Sequence, residues 1–460
     1  MKLSSARTPT RLRRLGLGLS ALLAACAADP KVIGSDCVGG GDGLCSAAAP
    51  LSEIENVDIL LVLDNSTSLI VRGQQLQNEL GKLVKAAVTG RSDGGSSFPR
   101  AASVHVAVTT PDLGVPGQDL PPQFGCTAPG DDGIFLNPGE YGLSCETQST
   151  AYLSYDHASA AVMTAESLSC LPIVEDSGCG YEMPLEAALK SVWPESRTEL
   201  TFLGEMSPRG HGEGENRGFL RDDSLLVVII VTDEDDCSSR VTDHLGDFFT
   251  SASGGQTITA ASGLPVASGE MVPATMAPEG MPPAGMAPAG MAPEGIEAPP
   301  LESPTPTSSL NPVPANLRCF AYQDELADDG GPYLQPVQRY VDAFKQLRPN
   351  NERFIFAVVA GIPPSLLTDA DNIGSDEFYE SILAAPEMQE AVDEGGQRLY
   401  PSCILQLEDL HSALPPRRLV RTAAAFGKRG VLGSLCAPDF GVTTGRLIHA
   451  IAEELDTATP

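Results

Sequence analysis

The stretch VDILLVLDNSTSLIV, residues 57–71, changes character halfway along. Residues 57–63 form an almost unbroken apolar run of strand length, and then come Asp64, Asn65, Ser66, Thr67 and Ser68. A continuous apolar run of this length is the mark of a strand buried on both faces, as in a parallel sheet. A carboxylate and three hydroxyls have no place in a dry core, so the strand's end is where a polar ligand would be held. A second run, LLVVIIV at 225–231, leads into VTDEDDCS, with Thr232, Asp233, Glu234, Asp235 and Asp236 in a row.

Three further strands are expected at 104–109, 353–360 (RFIFAVVA) and 431–435. Between the strands lie amphipathic helix patterns at 74–88, 184–192, 336–347, 417–426 and 444–455. Apolar strands alternating with helices predict an α/β fold, an open, mostly parallel sheet with helices on both faces. Residues 251–314 fit neither element type. They include MAPEGMPPAGMAPAGMAPEG, four pentapeptides of Met, Ala or Pro, Pro, Glu or Ala, and Gly. Such a run has too little contiguous apolar surface to offset its ordering entropy, and its prolines block regular structure. It reads as a disordered insertion interrupting one domain, because strand material resumes after it.

In an open parallel sheet, ligands sit outside the carboxyl ends of the strands. Asp64, Ser66 and Ser68 from one strand end and Asp233 from another would make an all-oxygen site for a hard divalent cation. Magnesium suits such a set best, with calcium or manganese as alternatives. These residues resemble the metal-ion-dependent adhesion site of von Willebrand factor type A domains, in which D-x-S-x-S follows the first strand and an aspartate follows the fourth. Asp64, Ser66 and Ser68 match the first pattern and Asp233 the second. The resemblance extends through VHVAVTTPDLG (104–114) and the closing strand and helix, and so frames most of residues 52–456. It implies a Rossmann-like domain that binds a partner's carboxylate through the metal. One part is missing: the family's middle-loop threonine has no counterpart in 177–184, where Glu182 is the nearest oxygen donor.

Rival chemistries fare worse. As a phosphoryl-accepting nucleophile Asp64 would need a second aspartate two residues on, where Ser66 stands. GRSDG, 90–94, matches G-x-S-x-G only by letters, since it follows a helix and not a strand. The six histidines show no H-E-x-x-H spacing. DADNIGSDEFYE, 369–380, has the acidic spacing of an EF-hand loop, but Ile373 stands at a ligand position, so it reads as a solvated loop capping the next helix.

The amino terminus reads as an export signal, residues 1–25: basic residues, the short apolar run LGLGLSALLAA, then Cys26. The run is too short to span a bilayer about 30 Å thick as a helix. LAAC, 23–26, resembles the lipobox of bacterial lipoproteins, which implies acylation of Cys26, residues 26–51 as a flexible tether, and a lipid-anchored place in the cell envelope, in the outer membrane. Of the 11 cysteines, setting Cys26 aside leaves an even number and no CxxC pair, which suggests disulfides in an oxidising compartment. Proximity suggests Cys37 with Cys45, Cys126 with Cys145 and Cys170 with Cys179, leaving Cys237, Cys319, Cys403 and Cys436 to pair across long loops. The formal charge of −31 argues against nucleic acid as a partner. The expected function is that of an envelope binding protein whose metal engages a protein or another carboxylate-bearing ligand. A metal-dependent phosphatase or hydrolase using Asp64, and a structural surface protein with a vestigial site, are the alternatives.

Overall fold

A computed structural model describes residues 54–65, 69, 72–92, 95–115, 130–137, 151–160, 178–204, 206–240, 317–321, 333–348, 353–368, 372–393, 398–406 and 411–457. The chain divides into two compact units, Met1–Ala48 and Ala49–Pro460. The expected signal, Cys26, most of the tether and the insertion at 251–314 lie outside the described residues.

The apolar run at 57–63 becomes β1 (Asn56–Leu63), whose six inner residues are all buried. It is flanked by β2 (Ser103–Thr109) and β4 (Leu225–Val231), parallel to both. Beyond β4 come β5 (Phe354–Ala360) and β8 (Gly430–Ser434), again parallel. On the other side β3 (Leu153–Asp156) pairs antiparallel with β2, so the six-stranded order is β3-β2-β1-β4-β5-β8. The architecture is α/β with a mixed, mostly parallel sheet.

Strand geometry sends alternate side chains to opposite faces, and the core divides accordingly. Leu60, Val62, Val228, Ile230 and Phe356 belong to one cluster with Leu185 and Leu189 of α2 (Pro184–Val192), Phe344 of α3 (Val337–Leu347), Ile382 of α4 (Asp376–Ala384) and Leu419 of α5 (Arg417–Ala424). Val57, Ile59, Leu61, Val227 and Ile355 belong to another with Leu83 and Val84 of α1 (Gly73–Thr89) and Ile451 and Leu455 of α6 (Gly441–Thr457).

Two features, β3 and a hairpin, depart from the sequence expectations, while the loop at 369–380 caps the next helix as expected. β3 is only four residues long and alternates buried and exposed, too short to show periodicity. A separate hairpin joins β6 (Cys403–Gln406) to β7 (His411–Ala413). α4 starts inside the EF-hand-like stretch: the Ser375 hydroxyl accepts the Phe378 N–H at 3.2 Å, an N-cap, and Asp376 and Glu377 occupy the first turn. Two disulfides close long loops, Cys237–Cys319 with Cα atoms 5.2 Å apart and Cys403–Cys436 at 6.2 Å. Cys179 is also disulfide-bonded. The three pairings expected from proximity each involve cysteines outside the described residues.

Candidate metal centre

Register brings the two polar strand ends together. Leu63 stands opposite Val231, and the Asp64 N–H donates to the Val231 carbonyl at 3.0 Å, so Asp64 and Thr232 leave the sheet side by side. The Thr232 hydroxyl oxygen lies 2.9 Å from Asp64 Oδ2 and 2.8 Å from Glu182 Oε2, and it accepts the Glu234 N–H at 3.0 Å. The Asp233 N–H points at Asp64 Oδ2 from 3.4 Å. Asp64, Glu182, Thr232 and Asp233 are all buried.

Glu182 is placed by a loop held from two sides. Gly178 packs so closely on Asn65 that a Cβ would fall 2.0 Å from Asn65 Oδ1, so a larger residue there would have to displace the Asn65 side chain. The Cys179 N–H donates to Asp112 Oδ2 at 3.2 Å and the Met183 N–H to the Pro111 carbonyl at 3.0 Å, both beyond the end of β2. From the β4 side, the Cys237 N–H donates to the Glu182 carbonyl at 2.8 Å, Asp236 Oδ1 accepts the Leu185 N–H at 3.0 Å, and the Ser238 hydroxyl accepts the Glu186 N–H at 3.1 Å.

The acidic run at 233–236 therefore divides its labour. Asp233 and Glu234 stay beside Asp64. Asp235 accepts the Arg418 and Leu419 N–H groups at 2.9 and 3.2 Å, capping α5 across the sheet, while Asp236 anchors the start of α2 and takes the Arg418 guanidinium at 3.1 Å. Burial pushes the Asp235 carboxyl up to about 7.

A hydroxyl has one proton and can donate to only one of the two carboxyl groups beside it; the other contact needs a proton from the acid. Glu182 is the group to bring it. Burial holds its carboxyl well above the usual carboxylate range, and the charges of Asp64, Glu234 and Asp233 push it the same way. Glu234 is raised well above its ordinary value too, by burial and then by Asp233 and Asp64. Hard oxygen donors drawn together by a hydroxyl, with like charges around them, are the donor chemistry of a divalent cation site. Among the described residues, no group of three or more His, Cys, Asp or Glu side chains could hold a metal ion. Ser66 and Ser68, the two hydroxyls expected beside Asp64, lie outside the described residues. Thr232, which sequence reasoning did not single out, is the hub of the cluster. Its signal was its place, the first residue past a buried strand neighbouring the Asp64 strand.

The remaining sequence candidates fall elsewhere. Gly90 of GRSDG closes α1 in the left-handed region (φ 66°), a helix end and not a nucleophile elbow. His105 sits against Asp58, at the opposite end of β1 from Asp64, and His211 against Asp132. Among the described residues no helix is long and apolar enough to cross a membrane.

Compared with protein-family models, with curated proteins and with solved structures, the chain finds no match in any of the three.

Proposed function

We propose that the chain is a binding module of the von Willebrand factor type A kind, with helices on both faces of its sheet and a divalent cation, magnesium or alternatively calcium or manganese, held at the carboxyl ends of β1 and β4. The observation that carries this reading is the Thr232 hydroxyl drawing Asp64 and Glu182 together at those strand ends. Asp64, Ser66, Ser68 and Asp233 would hold the ion, with Glu182 in place of the family's middle-loop threonine. Thr232 orients Asp64 and Glu182, and the clamp from Asp236, Cys237 and Ser238 keeps Glu182 from swinging out. A bound cation would supply an open coordination position for a partner's carboxylate, on a protein or another envelope component. The lipobox-like Cys26 would tether the module to the bacterial envelope through acyl chains, in the outer membrane. Binding, not turnover, is its task, since Asp64 is buried and engaged with Thr232 and so badly placed as a nucleophile.

Calorimetric titration with Mg2+ and with Ca2+ tests the reading: saturable binding that is lost in Asp64→Asn supports it. Absence of binding by either ion at millimolar concentration would leave a vestigial site, and metal-dependent turnover of a generic phosphoester would favour the hydrolase.

A further inference from the structure

On the α2 side of the sheet, remote in role from the metal centre, three ionisable side chains meet in a dry pocket. Asp132 lies in the turn GDDG, 130–133, with φ at 54°, the one positive φ of a non-glycine among the described residues. That strained backbone aims its carboxyl inward, away from solvent. Lys190 of α2 reaches it, with Nζ 2.6 Å from Asp132 Oδ1 and 2.8 Å from the Leu203 carbonyl. Both side chains are wholly buried. His211 Nε2 stands 3.1 Å from the other carboxyl oxygen, Oδ2, and the His211 N–H donates to the Lys190 carbonyl at 2.9 Å. Gly204 closes the pocket: a Cβ there would fall 1.8 Å from Asp132 Oδ1 and 2.3 Å from Lys190 Nζ. Phe202, Leu203 and Trp193, close by in sequence to Lys190 and Gly204, are buried in the apolar core.

A buried ion pair carries a desolvation cost that its own attraction does not always recover. Burial lowers the Lys190 amine below its ordinary value, against the opposing pull of Asp132 and Glu186. The short hydrogen bond from Nζ to Asp132 Oδ1 gives a path along which a proton can pass.

We propose that Lys190 and Asp132 condense into an intramolecular isopeptide bond. A proton passes from the Lys190 ammonium to Asp132 Oδ1. The Nζ lone pair attacks Cγ, and His211, with its proton on Nε2, donates to Oδ2 as negative charge gathers there. The Cγ–Oδ1 bond breaks, and Oδ1 leaves as water carrying two of the three ammonium hydrogens. Nζ keeps the third. One positive and one negative charge vanish, and no oxidant or external acid is needed. In the product the N–H would face the Leu203 carbonyl and the carbonyl oxygen would face His211, the partners that Nζ and Oδ2 have in the unlinked pocket. The link would join positions 58 residues apart and fasten the 130–137 segment to α2. For an exported protein it would serve as a staple that, unlike a disulfide, no reductant opens. The inference stands independently of any metal.

Mass spectrometry of the full chain tests it. After reduction and denaturation, the wild-type protein, its amino terminus processed as in the cell, is expected to be one water lighter than the same processed chain without the link, and a protease digest is expected to yield a branched peptide joining Asp132 to Lys190. Asp132→Ala and Lys190→Arg should restore the full mass, and His211→Gln should lower the fraction linked while the rest of the protein folds. Because the wild-type digest needs no variant to fold, the proposal can fail cleanly. Recovery of the Lys190 peptide unbranched, at full mass and with an amine that reacts with an acylating reagent, would overturn it.

Discussion

The two ends of β1 treat a buried carboxylate in opposite ways. Near its start, Asp58 accepts the Arg221 backbone N–H and guanidinium Nε, each at 2.8 Å, and the Ser224 hydroxyl; Arg348 braces Ser224 in turn at 2.9 Å. Near its finish, the charges acting on Glu182 are those of Asp64, Glu234 and Asp233, all negative. The first end is built as a network in which the Asp58 carboxylate meets the Arg221 guanidinium directly and Arg348 closes it through Ser224 and the Arg221 carbonyl. The second gathers like charges around a hydroxyl at the one edge of a parallel sheet where loops converge. Opposite charges stabilise the amino edge, and the carboxyl edge carries the cost of like charges held together, which the proposed cation would offset.

The largest expected effect breaks the paired end. Asp58→Ala removes the one carboxylate facing the Arg221 guanidinium, which keeps only the neutral Asn56, Ser103 and Val57 oxygens, and the Ser224 hydroxyl keeps only the Arg221 carbonyl; the loss should be about 3 kcal/mol in denaturant unfolding. A loss below about 1 kcal/mol would show that the network is ornamental and the contrast between the two ends false.

A second test uses pH at the carboxyl edge. Burial pushes Asp112 up to about 6, with Asp131 adding to the shift and the Gly114 and Cys179 N–H groups opposing it. In the unfolded chain an aspartate releases its proton near pH 4. Between pH 4 and 6 the folded state therefore binds more protons than the unfolded state. This contribution is fully present below about pH 4, is lost as pH rises through 6, and stays flat above, for a total of at most about 3 kcal/mol. Unfolding midpoints of the wild type from pH 4 to 7 should show the decline, and Asp112→Asn should make it shallower, leaving the part that the raised carboxyls of Asp235, Glu182 and Glu234 carry in the same direction. A wild-type profile that rises over this window would contradict the assignment.

The smallest effect is one of sign. Asp64→Asn removes a charge from the like-charged cluster and should stabilise the cation-free protein by about 1 kcal/mol, while abolishing any rise in melting temperature with Mg2+ or Ca2+. A variant less stable than the wild type in chelator would place Asp64 with Asp58, as a structural carboxylate.

Five strands of the main sheet were legible, three of them as nearly continuous apolar runs that carry their own evidence: residues 225–231 in sequence are Leu225–Val231 in space. Helices with one apolar face were legible for the same reason, and α2 starts and ends where its pattern does. The roles of the acids were not. Asp233, Glu234, Asp235 and Asp236 are alike in one dimension, and what separates a site carboxylate from a helix cap is which helix start packs beside it. Glu182 could be nominated only by the absence of a threonine, and the hydroxyl that holds it comes from the far side of the site, at Thr232. The pocket of Asp132, Lys190 and His211 left no trace in spacing, because its members come from a turn, a helix and a loop.

The Cys237–Cys319 bridge has a consequence for how this chain can change over generations. It fixes two points 82 residues apart in sequence at a Cα separation of 5.2 Å, beside the loop that carries Glu182. Loop-closure entropy grows only slowly with length, and a covalent clasp settles it in the folded and unfolded chain alike. Repeats between the two cysteines can then be gained or lost by replication slippage with little thermodynamic penalty to the domain. The clasp makes this interval a docking port for new sequence, where an epitope, a tag or a whole small domain could be spliced in while β4 and the carboxyl edge keep their geometry.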